Sequence, residues 1–394
     1  MKLGKNKIGI ITYWESNDNY GQQLQCWALQ HFLCERGYDA FLIRQYVWPE
    51  QHRNNKRGIK RIKQGVKDAI AYILYATNLA YKPYVYKRFA FCLDKEVCRR
   101  QFPKFRKEQL KMSKIYDTPE KLMSNPPQAD FYVTGSDQVW NYTMPEAPLK
   151  NFFLQFGAAS TKRIAYAPSI GHASLTEEMK SIFKQYLSKF DAISVREKSA
   201  ISMLKEIGYD AECVLDPTML LEATDYLRLT SNVKGKESVF IYSMNYISAN
   251  DIPFDAIKTF AEKQHLPIIV TPSSGYVPAK ELFEGVEYCY ATISQWIQYI
   301  ANAKLVVTAS FHGIVFSILF HRPFLYTPLK GEHVGSNNRV LDLLNNLGLQ
   351  ERVLSEEQSF EDYVNRQIKW EDVDSKLCLQ KRSSILYLTN SIEL

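Results

Sequence analysis

Long apolar runs are missing from this 394-residue chain. No stretch reaches the ~18 apolar residues that a membrane-spanning helix needs. The opening MKLGKNKIGIITYWESN is basic at its start, but its apolar segment stops at Glu15. It reads as a strand, since a secretory leader needs a longer apolar core and a small-residue cleavage site. Cysteine is sparse and odd in number, with seven scattered residues and no zinc-like spacing. Reduced thiols in a cytoplasmic protein are the expectation. There is no GxGxxG at the first strand–helix turn and no GxxxxGKS/T, which disfavours a dinucleotide or P-loop phosphate site. GxSxG and HExxH are also absent, and no His, Cys or carboxylate pair has metal-ligand spacing. No metal and no cofactor are therefore expected. Internal repeats and low-complexity tracts are absent too.

What is present is an ordinary globular balance, 46% hydrophobic and 23% charged, in a chain long enough for two domains. The net charge of +7 is unevenly spread. Gln51 to Lys67 carries seven Lys or Arg and no acid. Ile59, Ile62, Val66, Ala69, Ile70, Ile73 and Leu74 recur there at helical spacing. One reading is a surface helix packed by that stripe. The other is an interfacial helix on anionic lipid, which makes residues 51–74 a candidate membrane-surface contact and the protein peripheral on the inner face of a membrane. Nucleic acid is not an expected partner, because no recognition helix or aromatic platform of a known kind is present.

Strand and helix patterns alternate along the chain. KIGIITY (7–13), a helix over 22–37 and YDAFLIRQY (38–46) form a βαβ unit, which requires a parallel sheet. A basic helical segment spans about 56–125. Strands resume at 129–135, 163–169, 191–196 and 212–217. After the polar stretch TSNVKGKES (230–238), a second series follows, with strands at 239–244, 266–272, 304–310 and 322–328. The expected fold class is α/β, with parallel-sheet domains at 1–232 and 233–394 facing a cleft, and a last helix able to cross back.

The strand ends carry small polar clusters: ESNDNYG (15–21), TGSDQVWN (134–141), YAPSIGH (166–172), SVREKSA (194–200), LDPT (215–218), TASFHG (308–313) and GSNNR (335–339). Carboxyl ends of parallel strands are where such sheets bind ligands. Arginine suits a carboxylate or phosphate, gripped by paired hydrogen bonds. Asn, Asp and Gln suit sugar hydroxyls, and Tyr20 or Trp140 suits the apolar face of a sugar. The cleft thus reads as built for an anion on one side and a carbohydrate on the other. Each residue has a plainer reading. His312 could cap a helix or sit structurally buried. Arg196 could pair with Glu197 or Asp216. Asp137 could cap a helix, and Trp140 could belong to the core.

In this order, TYWESNDNYGQQLQCWALQ, YVTGSDQVWN, YAPSIG, SVREKSA, VLDPTMLL and VVTASFHGIVFSILFHRPF resemble the polysaccharide pyruvyl transferase family. The resemblance runs from about residue 8 to about residue 350. It implies two Rossmann-like domains in a glycosyltransferase-B-like arrangement, the N-terminal one binding acceptor and the C-terminal one donor. It implies phosphoenolpyruvate as donor, and as acceptor a sugar residue of a polysaccharide or lipid-linked precursor, with a pyruvate ketal and phosphate as products. The family's histidine maps to His312 and its arginine to Arg196. The expected donor set is Arg196, Arg339, Ser310, His312 and Gly313. The expected acceptor set is Asn17, Asn19, Tyr20, Gln23, Ser136, Gln138 and Trp140. His312 is the candidate acid, and Asp18 or Asp137 the candidate base. A nucleotide-sugar glycosyltransferase, a non-catalytic carbohydrate-binding protein of the same fold, and transfer that keeps the enol ether are the alternatives.

Overall fold

The computed structural model describes residues 5–47, 100–172, 174–231, 233–273, 281–355 and 358–393. The basic stretch 51–74 lies outside the described residues. No helix among them is long and apolar enough to cross a membrane.

The first β-branched run forms β1 (Lys7–Ile11), with Ile8, Ile10 and Ile11 fully buried. A strand apolar on both faces belongs inside a parallel sheet covered by helices. The helix Tyr20–Glu35 follows, and the Asn19 side chain caps it by accepting from the Gln22 N–H. β2 (Asp39–Gln45) then pairs parallel with β1, completing the expected βαβ unit. β3 (Met112–Tyr116), β4 (Phe131–Thr134), β5 (Lys162–Ala165), β6 (Ala192–Val195) and β7 (Glu212–Cys213) complete a seven-stranded sheet. Its order is β3-β2-β1-β4-β5-β6-β7. The second sheet contains β8 (Ser238–Met244), β9 (Ile268–Ser273), β10 (Glu287–Tyr288), β11 (Ala303–Thr308) and β12 (Phe324–Tyr326), in the order β10-β9-β8-β11-β12. Both are Rossmann-like. In each, the order reverses beside the first strand, at β1/β4 and at β8/β11, where such sheets open a crevice.

The segment expected to be helical over 56–125 departs from that reading in its described part. β3 lies between two short helices, Phe102–Gln109 and Pro119–Ser124. It is an edge strand, fully buried only at Tyr116, so its sequence shows little of the alternation that marks a half-buried strand.

The last helix, Trp370–Glu393, crosses back from the second sheet to the first. Its Tyr387 hydroxyl donates to the Ala165 carbonyl at the end of β5 (2.9 Å). Its Ser384 hydroxyl accepts from the Leu215 N–H (2.9 Å). The junction between the lobes is itself apolar core. Tyr20 of the first lobe stacks on Trp296 of the second, with centroids 5.2 Å apart and planes within 5°. Arg100, 1% exposed, spans the same junction. It donates to the Tyr20 hydroxyl (2.7 Å) and to the Pro272 carbonyl (2.6 Å). This packing fixes which strand ends face each other.

Candidate active site

β11 ends at Thr308, whose hydroxyl accepts from the Ser310 N–H (3.0 Å) and donates to the Tyr242 carbonyl (2.8 Å). Ser310 then caps the helix Phe311–Leu319 by accepting from the Gly313 N–H. This pins His312 in the first helical turn, 7% exposed. Gly313 allows a close approach, since a Cβ there would lie 2.7 Å from Thr308 Cγ2. Across the junction, a Cβ on Gly21 would lie 2.0 Å from His312 Nδ1. The imidazole therefore rests on the bare backbone of Gly21, in the first turn of Tyr20–Glu35. It sits between the starts of two helices, one from each lobe, where free N–H groups favour anions.

Asp216 is the hub beneath it, 1% exposed at the start of the 3₁₀ turn Pro217–Met219. Its Oδ2 accepts from the Ser136 hydroxyl (2.7 Å) and from Arg196 Nη1 (3.1 Å), and lies 3.6 Å from His312 Nε2. Its Oδ1 accepts from the Thr218 N–H (3.0 Å) and hydroxyl (2.6 Å). Burial pushes the Asp216 carboxyl up. His312, Arg196 and Ser136 more than offset this and hold it well below the usual carboxylate range. Of the two ion pairs considered for Arg196, the one with Asp216 forms. Glu197 instead accepts from the Ser169 hydroxyl (3.0 Å) and the Ile170 N–H (2.9 Å), tying the end of β6 to the end of β5.

Arg196 keeps donors in reserve. Its side chain is 2% exposed, yet Nε and Nη2 have no hydrogen-bond partner among the described residues, and neither does His312 Nε2. A buried donor left unpaired costs about 1–3 kcal/mol. Two on one guanidinium suit an acceptor-rich ligand. The Arg196 guanidinium lies 4.8 Å over the Phe311 ring, and that of Arg339 lies 6.0 Å from it. Burial, and next the Arg196 charge, pull Arg339 down to about 10. The two guanidiniums thus share one aromatic ring, with Asp216 paired to Arg196 and the charges of Asp137 and Glu197 acting on Arg339. A cavity of about 130 Å³ opens beside them, lined by Arg196, Asp216, Phe311, Arg339, Lys198 and Asp342 among others. The structure thus brings together Arg196, Arg339, His312, Ser310 and Gly313, five residues drawn from two lobes.

Asp137 follows β4 at φ 81°, and Ala167 follows β5 at φ 57°, both in the left-handed region that non-glycine residues rarely occupy. Asp137 caps no helix. Its Oδ1 accepts from the next N–H, that of Gln138 (2.8 Å), and its charge acts on Arg339. Asp18 stands elsewhere. Its carbonyl accepts from the Ser273 hydroxyl (2.8 Å), and its charge acts on Arg100 and Tyr242.

Most of the expected acceptor set is committed to the protein's own architecture. Trp140 is fully buried and stacks on Phe153 at 4.8 Å, so it is core and offers no face to a sugar. Tyr20 is likewise buried, its hydroxyl donating to the Ala291 carbonyl (2.6 Å). Gln23 is fully buried, donating to the Trp14 carbonyl (2.9 Å) and accepting from Arg106 (3.2 Å). Arg106 also binds Asn17 Oδ1 (2.9 Å), and Asn19 is the helix cap. Ser136 is buried on Asp216. Only Gln138, half-buried, keeps a side chain with no hydrogen bond shown to the described residues. The 15–21 turn is polar because it is wired to Arg106, Arg100 and its own helix. Asp216 was legible only as an ion-pair alternative within LDPT; no spacing signal marked it as a hub.

Solved structures resemble the chain at low identity. The UDP-GlcNAc 2-epimerase of Methanocaldococcus jannaschii is 10% identical, with 95% of this chain and 92% of that one covered and a TM-score of 0.44. That of Neisseria meningitidis is 7% identical, with 98% and 93% covered and a TM-score of 0.44. An alpha-glucosyltransferase in complex with UDP and DNA is 8% identical, with 97% and 91% covered and a TM-score of 0.45. No curated protein matches. The family model for polysaccharide pyruvyl transferase matches residues 19–328, a span that contains β4 to β12, Asp216 and the SFHG helix start, and the chain belongs to that family.

Proposed function

We propose that the protein transfers the pyruvyl unit of phosphoenolpyruvate to two hydroxyls of one sugar residue, forming a cyclic ketal and releasing phosphate. One observation carries this reading: Arg196, Arg339 and His312 converge on Phe311, and Arg196 keeps buried donors unspent among the described residues. Phosphoenolpyruvate carries a carboxylate and a phosphate, and two guanidiniums beside a helix start answer both.

The atoms balance as follows. One acceptor hydroxyl gives up its proton and attacks the central carbon. The methylene carbon gains a proton and becomes methyl. The C–O bond to phosphate breaks, the second hydroxyl closes the ring, and its proton leaves with the phosphate. His312 serves as acid, or as the group that holds the departing phosphate. Asp216 keeps its ring in place and counters the charge of Arg196. Asp137 is the base toward the acceptor, being the carboxylate nearer Arg339. Asp18, grouped with Arg100, takes a structural part. The acceptor lobe is the N-terminal one, residues 1–232, which also lends Arg196 to the donor, and the donor lobe is residues 233–394. The basic stretch 51–74 would bring the protein to a membrane surface where a lipid-linked acceptor is held.

The test is phosphate release from phosphoenolpyruvate in the presence of a panel of sugar glycosides. His312→Ala should abolish it while melting like the native protein; full activity in that variant removes His312 from the mechanism. Arg196→Lys should raise the donor KM at least tenfold, because a point charge cannot reproduce two parallel hydrogen bonds. An unchanged donor KM refutes its role.

A further inference from the structure

With Trp140 and Tyr20 in the core, the aromatic surface for a sugar must come from elsewhere, and one pair stands at the right strand ends. Tyr142 and His172 stack with centroids 4.0 Å apart and planes within 21°. Both are half-buried. They come from the loops after β4 and β5, the same two loops that hold Asp137 and Ala167 in the left-handed region. A polar web fixes the rings. Asn141 Oδ1 meets His172 Nε2 at 3.0 Å and also accepts from the Thr143 N–H (3.0 Å) and hydroxyl (2.8 Å). The Tyr142 hydroxyl donates to the Ser174 carbonyl (3.2 Å).

Gln138 completes the surface. Its amide crosses Gly171, where a Cβ would lie 3.0 Å from Gln138 Nε2. The other lobe comes up to this loop, since a Cβ on Gly335 would lie 3.9 Å from the Gly171 carbonyl oxygen. Neither loop, residues 135–145 or 168–175, contains a lysine or arginine. Burial also lowers the His172 pKa, which keeps the ring neutral. A neutral ring pair flanked by amides suits a polyol with one apolar face, and an anion finds nothing here to pair with.

We infer that the Tyr142–His172 stack, with Gln138 beside it, is the platform that seats the acceptor sugar. This rests on the proposed transfer for its purpose, though its geometry stands apart from the donor cluster. Held rings lose little freedom on binding, so the platform orients the sugar with its hydroxyls toward Asp137.

The experiment reads binding and turnover separately. Saturation-transfer NMR with methyl β-D-galactoside, methyl β-D-glucoside and methyl α-D-mannoside should show ring-proton signals with the native protein. Tyr142→Ala and His172→Ala should lose them, and Tyr142→Phe, which keeps the ring, should retain them. In turnover, the alanine variants should raise the acceptor KM roughly three- to tenfold with donor KM unchanged. Signals that survive in both alanine variants overturn the platform, as does a native protein that passes no saturation to any of the three sugars. Native protein that binds sugar through these rings but releases no phosphate from phosphoenolpyruvate overturns the transfer reaction and leaves the platform standing. Matching thermal melts separate each loss from misfolding.

Discussion

At the scale of single residues, Gly21 has a sharper role than glycine's usual one. Its φ is not positive, so no left-handed turn requires it. It is there because the His312 ring occupies the space of a side chain. Gly21→Ala should cost about 1–3 kcal/mol of stability by overpacking. It should also displace the imidazole from Asp216, so activity should fall much further than melting temperature. Paired kcat and thermal-melt measurements check this, and equal losses refute it. His312 and Arg196 stood out in the sequence because each lies where a strand gives way to a helix. Gly21's contact with His312 spans 291 residues of chain, and no local pattern could announce it. The same holds for Asp216, which meets Ser136, Arg196 and His312 only once the sheets are assembled. Tyr20 and Trp140 misled for a related reason. An aromatic at a strand end looks alike in sequence whether it turns toward solvent or toward the core.

At the scale of elements, the connection between β1 and Tyr20–Glu35 buries a carboxyl beside its cap. Glu15 within it is pushed up to about 7 by burial, against the lowering pull of the Val47 N–H and Arg106. A carboxyl whose folded pKa is raised favours folding while protonated. Its contribution is full below the ordinary value of about 4.3 and is lost as pH rises through the folded value. Glu15→Gln should therefore flatten the decline in stability between about pH 4.3 and about pH 7. Urea midpoints across that range test it, and identical slopes for both proteins refute it. The buried strands and amphipathic helices were plain from periodicity. β3 and the two-residue β10 were not, because short edge strands have one partner and half-exposed side chains, and so carry little pattern.

For the molecule as a whole, alternating strand and helix patterns foretold two parallel-sheet lobes, and topology then dictated a cleft. The closeness of the lobes was not foretold. It rests on Tyr20 against Trp296, on Arg100, and on the returning helix. Ending the chain before Trp370 removes the Tyr387 and Ser384 hydrogen bonds to the first sheet and uncovers the apolar surface under Leu388 and Ile392. The shortened protein should lose cooperative unfolding, melting in two steps, because each lobe keeps its own sheet. A single calorimetric transition near the native temperature counts against that role for the helix.

The imidazole's seat on Gly21 also bears on modular exchange. A Rossmann-like lobe looks like a part that could be traded between relatives, first half from one and second half from another. Here a histidine of one half lies flush against the backbone of the other. A hybrid with any side chain in the place of Gly21 would be born with its histidine dislodged, however well each half folds. An exchange of halves works only where the incoming lobe keeps a bare backbone at that place.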